Sequence, residues 1–235
     1  MPVVLITGAA RRLGKIIIED FLAKGWDVAF TCNNSLENAK QIVKLAPNGC
    51  RIKFYQGDFR DSSFTRNLIA RVKFDFQNID LLINNASIFE RCSFSELTED
   101  ALDDNFSIHV KTPLILAQSM AKYDHKAKII NITDVMVSKN ATAFFPYILT
   151  KKSLSELTKM LAKNLAPKIQ VNEIRPGMML ADLIEANSSD NKAREHKLPA
   201  MQKPDIEDLL KAIDYFINNN CYGQSLYVDS GEHIL

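Results

Sequence analysis

The chain has 235 residues, of which 46% are hydrophobic and 24% charged, enough for one large α/β domain with a full core. Twenty-nine lysines and arginines against 28 aspartates and glutamates leave a formal charge of +1, which speaks against bulk attraction to nucleic acid or to an anionic membrane. Cys32, Cys50, Cys92 and Cys221 are widely spread with no paired spacing, so neither a metal site nor a disulfide framework is expected, and a reducing, cytoplasmic setting is the simplest one.

Met1-Pro2 runs straight into an apolar strand, without the charged start and longer apolar stretch of a signal peptide, and no segment approaches transmembrane length. From there short apolar runs alternate with segments of helical period. The pattern predicts a strand at Val3–Ile6, a helix at Leu13–Lys24, a strand at Val28–Thr31, a helix at Leu36–Leu45 and a strand at Ile52–Tyr55. It continues with a helix at Ser63–Phe76, a strand at Leu81–Ile83, a helix at Asp103–Lys122, a strand at Lys128–Ile132 and a helix at Phe145–Leu165. A strand at Ile169–Ile174, a helix at Ile206–Asn218 and a strand at Leu226–Val228 complete it. Strict alternation implies parallel strands joined by crossover helices, and continuous Val/Ile/Leu strands imply a sheet covered on both faces. The expected fold is a single doubly wound α/β (Rossmann) domain spanning residues 1–235, with a seven-stranded parallel sheet flanked by helices. One long polar interruption, roughly Leu183 to Pro204, is the candidate substrate flap.

Directly after the first strand, Thr7-Gly8-Ala9-Ala10-Arg11-Arg12-Leu13-Gly14 opens a helix. Such a turn aims backbone N–H groups and a helix N-terminus at a pyrophosphate, and its small residues permit close approach. A plain strand-to-helix turn is the competing explanation; the position at the first β-α junction favours a dinucleotide. Asp58, after the third strand, is placed to accept from an adenine amino group or merely to cap a turn. Asn84-Asn85-Ala86-Ser87 ends the fourth strand at the carboxyl edge, where open α/β sheets bind ligands. The second strand ends in Asn33-Asn34-Ser35 with no carboxylate to grip a ribose 2′-hydroxyl or repel a 2′-phosphate, and Arg11 and Arg12 add positive charge, so NADP(H) is expected over NAD(H).

Tyr147 and Lys151 stand four residues apart, on one face of a helix, behind Asp134. An ammonium beside a phenol favours the phenolate, so the pair is expected to lower the Tyr147 pKa and make it a proton donor or acceptor near neutral pH. Asp134 reads either as a carboxyl of raised pKa that passes a proton through Tyr147, or as a cap.

These residues together resemble the short-chain dehydrogenase/reductase family over nearly the whole chain. The ordered set is the glycine turn, Asn84-Asn85-Ala86, the Tyr147 and Lys151 pair, Arg175-Pro176-Gly177 and Gly223-Gln224-Ser225-Leu226-Tyr227-Val228-Asp229-Ser230-Gly231. Within that family Arg12 stands where a glycine is usual, and Asp134 where a serine is usual. With Ser87 and Phe89 after Asn-Asn-Ala, these departures resemble pteridine reductases, and Ile108-His109-Val110-Lys111-Thr112-Pro113 resembles bacterial dihydromonapterin reductases. The resemblance implies NADPH-dependent reduction of a dihydropterin to a tetrahydropterin by a cytoplasmic homotetramer. It implies Asp134, Tyr147, Lys151 and His109 as the catalytic set, with Asn105 the alternative to His109. Cofactor binding would fall to Gly8, Arg11, Arg12, Leu13, Gly14, Asn33, Asn34, Ser35, Asp58, Asn85, Ala86 and Ser87, and further along to Thr133, Tyr147, Lys151, Pro176 and Gly177. The pterin would meet Arg11, Ser87, Phe89, Asp134, Tyr147, Met178 and Met179, with Phe89 stacked on the ring or else part of the core. The alternatives are a carbonyl or 3-oxoacyl reductase of the same family, which would normally carry a hydroxyl at position 134, and a non-catalytic NADP-binding protein, against which the intact Tyr147 and Lys151 pair argues.

Overall fold

In a computed structural model of the protein, residues 1–140, 143–177 and 195–235 are described. Seven strands form one parallel sheet: β1 Val3–Ile6, β2 Asp27–Cys32, β3 Ile52–Gln56, β4 Leu81–Asn84, β5 Ala127–Ile132, β6 Ile169–Pro176 and β7 Ser225–Val228. Their order across the sheet is β3-β2-β1-β4-β5-β6-β7. The order reverses direction between β1 and β4, so the loops leaving those two strands diverge to opposite faces and open a crevice at the carboxyl edge.

Strands β1, β2 and β4 are buried along their whole length, as their unbroken apolar runs require of a sheet with helices on both sides. On one face lie α1 Arg12–Ala23, α2 Leu36–Val43 and α7 Ile206–Asn218; on the other lie α3 Ser62–Phe76, α5 Thr112–Ala121 and α6 Phe145–Leu165. Helix α1 commits Ile17, Ile18 and Phe21 fully to the core, each burial worth roughly 1.5–3 kcal/mol. A buried amide relay crosses the sheet beneath the site: Asn84 Nδ2 donates to Asn131 Oδ1 at 2.8 Å, and Asn131 Nδ2 donates to Thr158 Oγ1 of α6 at 2.8 Å.

The predicted helix at Asp103–Lys122 is in fact three pieces. Helix α4 begins earlier, at Glu99, capped by Thr98 Oγ1, and ends at Phe106; a π-helical turn spans Ser107–Lys111; α5 then starts at Thr112. An apolar period cannot register one widened turn, because the inserted residue shifts the face without breaking the helix.

Of the predicted flap, the part up to residue 194 lies outside the described residues. The part from 195 to 204 packs on the C-terminal turn: Leu198 is buried, and the Ala200 N–H donates to the Ser230 carbonyl at 3.2 Å.

Candidate active site

The turn after β1 is built for close backbone approach. Gly8 has φ of +63°, and a Cβ there would lie 2.7 Å from the Ala86 Cα, so the loops after β1 and β4 touch only because this residue is glycine. The contact is locked by the Thr7 hydroxyl, which accepts from the Asn85 and Ala86 N–H groups at 3.0 Å each, and by Asn85 Nδ2, which donates to the Thr7 carbonyl at 3.0 Å. A Cβ on Gly14 would lie 2.4 Å from the Ala9 Cα, which holds α1 against the turn. No side chain caps α1, α2, α5 or α6, whereas Asp61, Thr98 and Asp205 cap α3, α4 and α7; of the uncapped helices, α1 is the one that opens directly behind the Gly8 turn. This uncapped N-terminus behind a glycine cradle fits a dinucleotide pyrophosphate.

Arg12 adopts φ of +51°, the left-handed region in which glycine is at ease, and Arg11 and Arg12 are both exposed. Asn33 and Asn34 are exposed at the end of β2, with Ser35 partly so, and the carbonyl-edge residues Pro176 and Thr133 are buried. Asp58 differs from its simplest expectation. Its carboxylate is gripped by the Arg60 guanidinium at 2.6 Å and accepts from Asn33 Nδ2 at 3.1 Å, which holds it well ionised. Any adenine amino group would therefore share an oxygen already bound by arginine.

Tyr147 and Lys151 lie on the buried face of α6. The Tyr147 hydroxyl donates to Asp134 Oδ2 at 2.5 Å, and Asp134 Oδ1 accepts the Met136 N–H at 2.8 Å. Asp134 is thus a cap and a tyrosine partner at once, one oxygen for each. Lys151 Nζ donates to the Ile132 carbonyl at 2.7 Å and sits 5.6 Å from the Tyr147 ring centre. The expected lowering of the Tyr147 pKa is reversed. Burial, and then the Asp134 carboxyl, push it well above the ordinary tyrosine value, and burial pushes Asp134 up as well. Lys151 is lowered to about 8, chiefly by burial. Tyr147 is accordingly held as the phenol, donating to a carboxyl whose own pKa is raised.

Of the two candidates on the preceding helical segment, His109 is the one brought to the site. Its ring meets that of Tyr147 edge-on at 5.5 Å, and its nitrogens reach Thr150 Oγ1 at 2.8 Å and Ser87 Oγ at 2.9 Å. Asn105 instead donates to the Ala101 carbonyl of its own helix. Phe89 is 48% exposed, which removes it from the core. It stands edge-on to Tyr147 at 4.8 Å and stacks on Phe144 at 4.4 Å. Met178 and Met179 lie outside the described residues.

A family model described as short chain dehydrogenase matches residues 2–192. The chain belongs to the short-chain dehydrogenase family. This short-chain dehydrogenase is 25% identical to the 3-oxoacyl-[acyl-carrier-protein] reductase FabG of Staphylococcus epidermidis, with 98% of each chain covered. It is 26% identical to the L-xylulose reductase of Mus musculus, over 97% of this chain and 94% of the other. Among solved structures it is similar to the FolM alternative dihydrofolate reductase 1 from Brucella canis complexed with NADP, at 35% identity and a TM-score of 0.91, covering 100% of this chain and 95% of that one.

Phe144 and Thr150 escape a reading of this dehydrogenase's sequence. Thr150 looks like one more helix residue, yet its hydroxyl donates to the Pro146 carbonyl at 2.8 Å and so offers a lone pair to His109. Its position three residues after Tyr147 was the only available signal.

Proposed function

We propose that this short-chain dehydrogenase uses NADPH to reduce a dihydropterin of the dihydromonapterin or dihydrobiopterin kind to the tetrahydropterin. The observation that carries the reading is the Asp134 carboxyl bonded to the Tyr147 hydroxyl where the family usually has a hydroxyl. Reducing a C=N bond in a polar ring requires a proton at nitrogen, and a carboxylic acid of raised pKa is a stronger source than serine. Because Asp134 Oδ1 accepts the Met136 N–H, the proton that replenishes Tyr147 is carried on Oδ2, and it turns onto the Tyr147 oxygen as the phenol proton leaves Oδ2 for the substrate. Tyr147 gives its proton to the substrate and regains one from Asp134.

NADPH, when bound, supplies the hydride. Gly8, Leu13, Gly14, Asn85 and Ala86 would form the cradle for its pyrophosphate; Arg12, Asn33, Asn34 and Ser35 would meet the 2′-phosphate end; Asp58 would serve the adenine; and Thr133, Pro176 and Gly177 would line the nicotinamide end. Lys151 uses one of its three protons on the Ile132 carbonyl and keeps two for ribose hydroxyls. Phe89 offers its exposed ring as a stacking surface. Arg11 serves acceptor atoms at the pterin edge. The similarity to the FolM structure supports both cofactor and substrate class. The homotetramer and the cytoplasmic setting implied by the family resemblance belong to the same proposal; sedimentation velocity tests the first.

The deciding assay follows NADPH oxidation with a dihydropterin, dihydrofolate, a 3-oxoacyl thioester, a simple ketone and no substrate. Turnover of the dihydropterin well above that of the carbonyl compounds is expected. Preference for the thioester would establish the 3-oxoacyl reductase alternative that the FabG similarity raises, and no turnover with any compound would leave a cofactor-binding protein.

A further inference from the structure

We infer that His109 is a positioning residue that makes Ser87 a hydrogen-bond acceptor toward the pocket, so that the site selects a planar ring presenting an N–H or amino donor at that edge. The inference rests on the pterin reading for the identity of the ring and on internal hydrogen bonds for the polarity.

The polarity follows from one backbone group. The Ile88 N–H points at His109 Nε2 at 3.2 Å, and a peptide N–H can only donate. Nε2 is therefore the unprotonated nitrogen, and the ring proton sits on Nδ1, donated to Thr150 Oγ1 at 2.8 Å. Thr150 can accept it because its own proton goes to the Pro146 carbonyl at 2.8 Å or the Tyr147 carbonyl at 3.0 Å. Protonation at both nitrogens would set two donors face to face at Ile88. It is opposed also by the burial of the ring, 1% exposed, and by the nearby Lys151 ammonium, which together hold His109 well below the ordinary histidine pKa.

Ser87 then has two internal acceptors for its single proton, His109 Nε2 at 2.9 Å, whose one lone pair it shares with the longer contact from the Ile88 N–H, and the Ile88 carbonyl at 3.4 Å. Either one turns the O–H inward and leaves oxygen lone pairs facing outward from an exposed side chain. A carbonyl or phosphate oxygen placed there would meet lone pairs; an amino group would meet an acceptor. This departs from the expectation that Ser87 serves the cofactor phosphate.

Two measurements test it. In protein labelled with ¹⁵N histidine, and with His109→Asn used to assign the signal, the His109 ring is expected as the Nδ1–H tautomer from about pH 5 to about pH 8, the range in which histidine ordinarily titrates. An Nε2–H tautomer or an imidazolium in that range overturns the inference. Second, pterin and lumazine, in which the 2-amino donor becomes a 2-oxo acceptor of similar size, are titrated into the NADP-bound protein. The preference for pterin is expected to fall about tenfold in Ser87→Ala and in His109→Asn, the loss of roughly one hydrogen bond, with NADPH affinity retained in Ser87→Ala. An unchanged preference in Ser87→Ala, or a selective loss of NADPH, overturns the inference. Failure of both rings to bind wild-type protein refutes the pterin reading instead, and the tautomer alone then decides the polarity.

Discussion

The Tyr147 hydroxyl and the Asp134 carboxyl are joined at 2.5 Å, in an enclosed site where both are driven toward their protonated forms. In the proposed mechanism the residue that donates to substrate and the residue that replenishes it are therefore in direct contact. Asp134→Asn keeps the shape and the Met136 cap while removing the exchangeable acid. Dihydropterin turnover is expected to fall by about 10²–10⁴, with NADPH affinity unchanged by fluorescence titration. Tyr147→Phe should lose as much. Full turnover in either variant would remove the acid from the mechanism.

The same shift has a signature in stability. Asp134 binds its proton more tightly folded than unfolded, so its ionisation opposes folding as pH rises above the unfolded carboxyl value of 3.8 toward the higher folded value. Asparagine has no such penalty. The melting temperature of Asp134→Asn relative to wild type should increase between about pH 4 and about pH 7, as followed by circular dichroism. A difference that is flat or falling with pH contradicts the raised carboxyl.

Lys151, lowered to about 8 by burial, is expected to lose its charge as pH rises through that value. NADPH affinity should weaken above about pH 8 as the ammonium is lost, and Lys151→Arg, which stays charged, should abolish that bend. Lys151→Ala should depress both cofactor affinity and turnover at every pH. A wild-type affinity that is constant to about pH 10 would exclude the ammonium as a ribose ligand.

Phe89 is exposed, so its truncation leaves little cavity. Phe89→Ala is expected to raise the pterin KM about tenfold, corresponding to loss of a stacked aromatic contact of order 1 kcal/mol, with a melting temperature within a few degrees of wild type. A large stability loss with unchanged KM would make it a packing partner of Phe144 only.

Arg12 combines left-handed strain with a charge near the expected 2′-phosphate. Arg12→Gly should raise the melting temperature while weakening NADPH by about tenfold to a hundredfold and sparing NADH, as charge-assisted bonds of roughly 1.5–3 kcal/mol predict. Equal loss of both nucleotides would place the arginine away from the phosphate.

The sequence alone determined the alternation of seven strands and their helices, the glycine turn after β1, and the common face of Tyr147 and Lys151. Each depends on a period or spacing set by backbone geometry within a few residues, and each therefore survives without knowledge of the partner element. Strand ends moved by only a residue or two, β6 running on to Pro176 because Arg175 and Pro176 pair with Tyr227 and Val228 of the edge strand β7. Only the tertiary structure decided the chemistry between elements. The π-helical turn at Ser107–Lys111 carries His109, 22 residues from Ser87 and 41 from Thr150, into contact with both. Asp58 is claimed by Arg60, Phe89 finds Phe144, and the phenol of Tyr147 is raised rather than lowered because burial and the Asp134 carboxyl both favour its protonated form. The physical reason is common to all of them: hydrogen-bond polarity and pKa depend on what surrounds a group in three dimensions and on how much water is excluded, and neither quantity has a period along the chain.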